Sequence, residues 1–190
     1  MQTEHAGIIE TVKDGIVAAI KGTGDIVKAT VDTITHMLAT TFKDTGKVGT
    51  SVIDAVADVA SGAIRGAAQV GADLGHAAKG IMVGVLRGTK EAGTEVLDII
   101  SHTAHVTIRD TAEVGGDLEA ATTGLVEGAI AGSKEMGVSA EDAVSATADG
   151  ALKAAGKVGS TAVETVRNAV TKTAHRAKVV LKQPKSAASK

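Results

Sequence analysis

The chain contains no cysteine, tryptophan or tyrosine, and it has only one phenylalanine and one proline among its 190 residues. The lack of cysteine excludes disulfide bonds, thiolate metal sites and a cysteine nucleophile. Because aromatic side chains are almost absent, a buried core has to be built from Val, Ile, Leu and Ala. The 23 glycines occur without matching proline, which is not the composition of a loop-rich chain.

Long apolar runs are missing as well. The longest stretches without Asp, Glu, Lys or Arg are ten residues, 33–42 and 99–108, whereas a conventional membrane-spanning helix needs about 20 mostly apolar residues. Residues 1–20 lack a basic start followed by an apolar run. We therefore expect neither a spanning helix nor a signal peptide.

Charge is unevenly placed along the chain. Residues 1–164 hold 13 Lys/Arg and 22 Asp/Glu, while residues 165–190 hold seven Lys/Arg and no acid. Residues 180–190 are predicted to be a basic flexible tail. Such a tail can bind anionic lipid, nucleic acid or an acidic partner, or it can simply keep a frayed end soluble.

An 11-residue repeat runs through sixteen consecutive blocks from Glu4 to Val179 without losing phase. Examples are VASGAIRGAAQ (59–69) and LVEGAIAGSKE (125–135). Eleven residues make three helical turns at about 3.67 residues per turn. The repeat therefore predicts one long amphipathic helix, or a few helices joined with the phase kept.

Two other folds are compatible with the repeat. One is a hairpin or short bundle, with breaks at Gly22–Gly24, Gly46–Gly49, Gly115–Gly116 and Gly156–Gly159. The other is a β-solenoid with 22-residue coils, since Val, Thr and Gly are frequent. The 3.67-residue spacing of the apolar positions favours helix over strand, because strict period-2 alternation is absent.

The apolar and small residues occupy positions 1, 2, 5, 6, 8 and 9 of each block, a sector of roughly 165° on a helical wheel. This sector is too wide for a two-stranded seam and suits contact with several neighbours. Position 6 carries the bulkiest side chains. The packing candidates at this position are Ile53, Ile64, Leu86, Leu97, Ile108 and Ile130.

Glycines form two stripes with a spacing of four residues. A glycine inside a helix costs about 1 kcal/mol relative to alanine, but it lets helix backbones approach closely. We therefore expect the stripes to be interfaces that become ordered on assembly or binding. The stripe residues are Gly80, Gly84 and Gly88, and Gly124, Gly128 and Gly132.

Two features alternate from block to block and point to a 22-residue unit. Glycine recurs at position 2 of alternate blocks, from Gly49 to Gly159, and the charge at position 7 changes sign. Successive position-7 charges lie about 16.5 Å apart along a helix, too far to pair within it. Staggered self-assembly would bring acids against bases; duplication of a balanced surface is the alternative. The charge-register candidates are Asp54, Arg65, Arg87, Asp98 and Arg109.

Sequence signals for a chemical site are weak. Gly46–Lys47 and Gly156–Lys157 lack the following Ser or Thr of a phosphate loop. His102 and His105 could share a helix face, but the ligand set for a metal is incomplete, so we interpret them as solvated or interface histidines. No catalytic, cofactor or metal residue is predicted, and the chain is not expected to be an enzyme.

The 11-residue blocks resemble two groups of helical proteins. One comprises right-handed coiled coils built on 11-residue (hendecad) repeats, as in stalks and filaments. The other comprises lipid-surface proteins of the perilipin and synuclein type; VASGAIRGAAQVGADLGHAAKG and LVEGAIAGSKEMG look like the repeats of perilipins. The first resemblance implies a structural filament, and the second implies a helix lying on a membrane or lipid droplet.

We therefore expect an all-α protein: a long amphipathic helix that assembles as a right-handed coiled coil or helical filament. The expected organisation is an N-terminal cap (1–3), a hendecad region (4–179) and the basic tail. The expected function is structural self-assembly, with a peripheral lipid-surface protein as the alternative. The expected partner is the chain itself, or else an anionic lipid surface, with no specific nucleic acid, small-molecule substrate or cofactor.

Overall fold

The computed structural model describes the backbone of residues 2–45, 50–90, 92 and 95–179, and side chains from His5 onward except residues 43–45, 50 and 51. This part of the chain is all-α, but the predicted single long helix is wrong. It folds instead into eight helices: α1 (Gln2–Thr23), α2 (Ile26–Thr45), α3 (Thr50–Gln69), α4 (Leu74–Gly88), α5 (Val96–Glu113), α6 (Leu118–Met136), α7 (Ala140–Val158) and α8 (Ser160–Arg176).

The helices end at a recurring turn. Gly71 and Gly115 have φ of +67° and +70°, a left-handed conformation that costs other residues energy but not glycine. The next N–H groups donate back into the helix, from Ala72 to the carbonyl of Ala67 and from Gly116 to that of Thr111, as in a Schellman motif.

Aspartate then starts the next helix. The side chains of Asp73 and Asp117 accept from the backbone N–H groups of His76 and Ala120, at 2.7 and 3.0 Å. These N-cap bonds satisfy donors that have no partner inside the helix. The two turns read VGADL (70–74) and VGGDL (114–118), 44 residues apart.

The turns preserve the phase of the repeat because a helix and its turn together occupy two blocks. Helices α4, α5, α6 and α7 begin at residues 74, 96, 118 and 140, each 22 residues after the last. The bundle alternative placed three breaks correctly, near Gly22–Gly24, Gly115–Gly116 and Gly156–Gly159. The break at 46–49 lies outside the described residues, and the turns near Gly71 and Gly137 were missed.

The helices form two rows, in which each helix packs against the helix two places along the chain. Odd-numbered helices make one row and even-numbered helices the other. Ion pairs within the rows join residues 48 apart: Arg65 with Glu113, Lys79 with Glu127, and Arg87 with Glu135. Because this separation is constant, neighbours within a row run parallel, and the structural repeat is a pair of helices of about two 22-residue units.

The core lies between the rows and consists of Val, Ile, Leu, Met and Ala. Three of the predicted packing residues, Ile64, Leu86 and Ile108, are completely or almost completely buried. The other three, Ile53, Leu97 and Ile130, are half-buried and pack against the core from its edge. The wide apolar sector of each helix is therefore covered largely by other helices of the same chain.

Candidate functional site

The first glycine stripe lies where α4 packs on α2. A Cβ atom added to Gly80 would lie 2.7 Å from Cβ of Thr30, and one added to Gly84 would lie 2.9 Å from Cβ of Ile34. Gly88 faces Leu38 in the same way, at 2.8 Å. Real Cβ atoms almost never come so close, so only glycine permits this approach.

The second stripe lies 44 residues later, where α6 packs on α4. A Cβ on Gly124 would overlap the carbonyl oxygen of Gly75, and one on Gly128 would lie 2.9 Å from Cβ of Met82. Gly132 faces Leu86. Both predicted stripes thus lie against neighbouring helices of their own chain; their role between chains stays a prediction.

Two junctions within the rows lack glycine. At the α3–α5 junction, Val106 and Asp110 stand 44 residues after Gly62 and Gly66, which contact α1. At the α6–α8 junction, Lys172 and Arg176 stand 44 residues after Gly128 and Gly132. Because long charged side chains need room that a glycine does not, α8 cannot approach α6 as closely as α6 approaches α4.

A groove opens at this second junction and extends over α6 to the start of α4; we call it the α4–α6–α8 groove. Its volume is about 400 Å³. The groove is floored by Gly75, Ala120, Thr123 and Gly124. Its charged and titratable lining residues are Asp73, His76, Lys79, Asp117, Glu119, Glu127, Lys172 and Arg176.

The charges in the groove pair with one another across the three helices. Lys79 Nζ lies 3.2 Å from Glu127 Oε2, and Arg176 Nη2 lies 3.9 Å from Glu127 Oε1. Lys172 Nζ lies 3.2 Å from Glu119 Oε1. These are solvent-exposed pairs, each worth about 0–1 kcal/mol. They serve to join α8 to α6 and α6 to α4.

The cap of α4 sets the electrostatics at one end of the groove. The backbone N–H of His76 donates to Asp73 and holds the pKa of this carboxyl below its ordinary value, and the His76 ring adds to the effect. A lowered carboxyl pKa contributes stability above the unfolded-state pKa, and this contribution is lost as the pH falls through the folded-state value.

The predicted charge-register residues pair within the chain where they pair at all. Arg65 binds Glu113 at 3.4 Å and Arg87 binds Glu135 at 2.9 Å. Arg109 binds its neighbour Asp110 at 2.7 Å and donates to Ser61 at 3.3 Å. The remaining two, Asp54 and Asp98, are exposed, and no ion pair joins either of them to another residue of the described chain.

His102 and His105 lie half-buried on α5. Burial, and then the neighbouring His105, lower the pKa of His102; burial also lowers the pKa of His105. Among the residues that the structure describes, no three His, Asp or Glu side chains are grouped so that they could hold a metal ion.

A search of the described helices for one that is long and apolar enough to cross a membrane finds none. No protein-family model matches the sequence, and the search of curated proteins finds no match either. The crystal structure of the de novo designed helical repeat protein DHR7 is similar to this chain, with a TM-score of 0.58 and 17% identity over 94% of this chain and 97% of that one.

The chain has a helical-repeat fold. The likeness to the designed protein concerns the fold alone, and it agrees with the two rows of parallel helices. Sequence reasoning missed the groove and its paired residues, Lys79, Glu119, Glu127, Lys172 and Arg176. The available signal was the 44-residue frame, in which Lys172 and Arg176 replace glycines of the preceding repeat.

Proposed function

We propose that the protein is a structural, non-enzymatic helical-repeat protein whose folded molecules self-associate. The observation that carries the proposal is the incomplete cover of its first and last repeats. In the inner repeats the apolar positions are closed off by helices on both sides, whereas a terminal repeat has a neighbour on one side only.

Positions 44 residues apart make the difference visible. Ile64 and Ile81 are fully buried, but Ile20 and Met37, which occupy the same repeat positions in the first repeat, are half-buried. At the other end, Leu152 is half-buried, while its counterpart Ile108 is fully buried. Apolar surface of this kind gains stability when another molecule covers it.

Multi-angle light scattering over a concentration series tests the proposal, with circular dichroism recorded on the same samples. We expect a mass that rises above the 18.9 kDa of one chain while the helix content stays constant, because folding precedes association. A monodisperse monomer at every concentration would contradict self-association.

A peripheral lipid-surface protein is the second candidate, supported by the basic outer side of α8. Arg167, Lys172 and Arg176 are exposed there, and Lys178 follows. Clustered basic residues are attracted to anionic lipid head groups, an attraction that salt weakens. Co-sedimentation with phosphatidylserine vesicles, but not with neutral vesicles, would support this function; absence from both pellets would contradict it.

A further inference from the structure

The number of repeats allows a second molecule to continue the array. Sixteen 11-residue blocks from Glu4 to Val179 make four repeats of 44 residues. Helix α7 is the last member of the odd row and α1 is the first. If α1 of a second molecule followed α7, it would stand in the same relation to α7 as α3 does to α1.

The contacts inside the chain give the register of such a junction. Within the odd row, Ser61 contacts Arg109, Arg65 contacts Glu113 and Ser101 contacts Asp149, each 48 residues apart. This spacing is one repeat plus one helical turn. Continued past the four repeats, it places each residue of α7 against the residue of the second molecule numbered 128 lower.

Opposite charges meet in this register. Lys153 occupies the repeat position of Arg65, and Asp25 occupies that of Glu113, so the Arg65–Glu113 ion pair recurs as Lys153 with Asp25 of the second molecule. One turn earlier, Asp149 meets Lys21, which occupies the position of Arg109. All four side chains are exposed. In the even row, the position equivalent to the Lys79–Glu127 pair joins Arg167 to Ala39 and adds no charge pair.

The facing surface of α1 is shaped for close approach. Ala18 and Gly22 occupy the repeat positions of Gly62 and Gly66, the residues through which α3 contacts α1. Ala18 and Gly22 are exposed, and a Cβ added to Gly22 would meet no atom within 4 Å. A glycine in a helix is destabilising unless something packs against it, and here no residue of the described chain does.

We propose that molecules stack head to tail, with α7 of one molecule packed against α1 of the next, through Asp149–Lys21 and Lys153–Asp25 ion pairs. This inference rests on the proposed self-association and specifies its geometry. The contact joins two different surfaces, so it leaves a free end on each molecule and extends into an open filament unless the rotation per molecule closes a ring.

Charge exchange between the two ends tests the geometry. Lys21→Glu places like charges against Asp149 and should raise the apparent dissociation constant about fivefold or more at low salt, since one exposed ion pair becomes a repulsion. The double variant Lys21→Glu with Asp149→Lys restores opposite charges and should recover association. The matched control is Lys134→Glu, the same charge change on the exposed surface of an inner repeat. Light scattering measures mass, and circular dichroism establishes that every variant is folded.

The outcomes separate the inference from the function on which it rests. Weakening by Lys21→Glu, recovery in the double variant and no effect of Lys134→Glu would support head-to-tail stacking. If the wild type associates and neither end variant changes its association, the stacking geometry is wrong while self-association stands. If the wild type remains a monomer throughout, both are wrong.

Discussion

At the scale of single residues, the effect of a glycine depends on what faces it. Gly150 and Gly156 lie in the same helix, α7. A Cβ on Gly150 would overlap the backbone carbonyl of Ser101, whereas one on Gly156 would meet nothing within 4 Å. The first glycine permits a backbone contact between α5 and α7; the second contributes only conformational freedom to the unfolded chain.

We predict opposite effects of alanine at these two positions. Gly150→Ala should lower the free energy of unfolding by about 1–3 kcal/mol, because a backbone carbonyl cannot move aside without shifting the helix. Gly156→Ala should raise it by up to about 1 kcal/mol, because alanine favours helix. Urea unfolding monitored by circular dichroism measures both. Equal effects would show that the α5–α7 contact does not depend on glycine.

At the scale of an element, α1 is held by close packing and by one inter-helix ion pair. Gly62 and Gly66 of α3 pack against its backbone and side chains. His5 Nδ1 lies 2.6 Å from Asp58 Oδ2, and the Asp58 residue is only 8% exposed. Burial raises the pKa of Asp58, and the hydrogen bond from Asp58 raises the pKa of His5.

The attachment of α1 should therefore weaken as the pH rises. A histidine with a raised folded-state pKa contributes stability that is fully present below its unfolded value, near 6.5, and is lost as the pH rises through the folded value. Asp54 adds to the raising effect, and the chain's α-amino group opposes it. We expect the difference in thermal midpoint between the wild type and His5→Gln to shrink from pH 6 to pH 8.5. A difference that stays constant with pH would mean that His5 acts through packing alone.

At the scale of the whole molecule, the pair of helices is the unit that can be added or removed. Deleting residues 70–113 joins α3 to the VGGDL turn, which matches the VGADL turn that it replaces. Gly124, Gly128 and Gly132 then stand at the positions of Gly80, Gly84 and Gly88, so α6 can pack on α2. Each helix keeps its row.

We predict that this 44-residue deletion folds cooperatively, at reduced stability, because a repeat array loses one set of nearest-neighbour contacts. Deleting residues 70–91 keeps the 11-residue phase but moves each following helix into the other row. Thermal unfolding of the second variant should therefore be broad and non-cooperative. Cooperative unfolding of both variants would show that the phase alone specifies the fold.

The sequence by itself determined the helical class, the 11-residue phase and the positions that need small or bulky side chains. It identified Gly80, Gly84, Gly88, Gly124, Gly128 and Gly132 as sites of close approach, and a period of 3.67 residues is specific enough for that inference. It also placed the turns near Gly24, Gly115 and Gly159, though only as the alternative to one continuous helix.

Only the tertiary structure decided between a rod and a folded array. A turn that restores the repeat after 22 residues leaves the same periodic pattern as uninterrupted helix, so periodicity cannot distinguish the two. Gly71 and Gly115 differ from Gly84 only in their backbone conformation, which depends on where the chain reverses. The partners of Arg65 and Arg87 lie 48 residues away for the same reason: pairs at that distance exist only once parallel helices have been brought side by side.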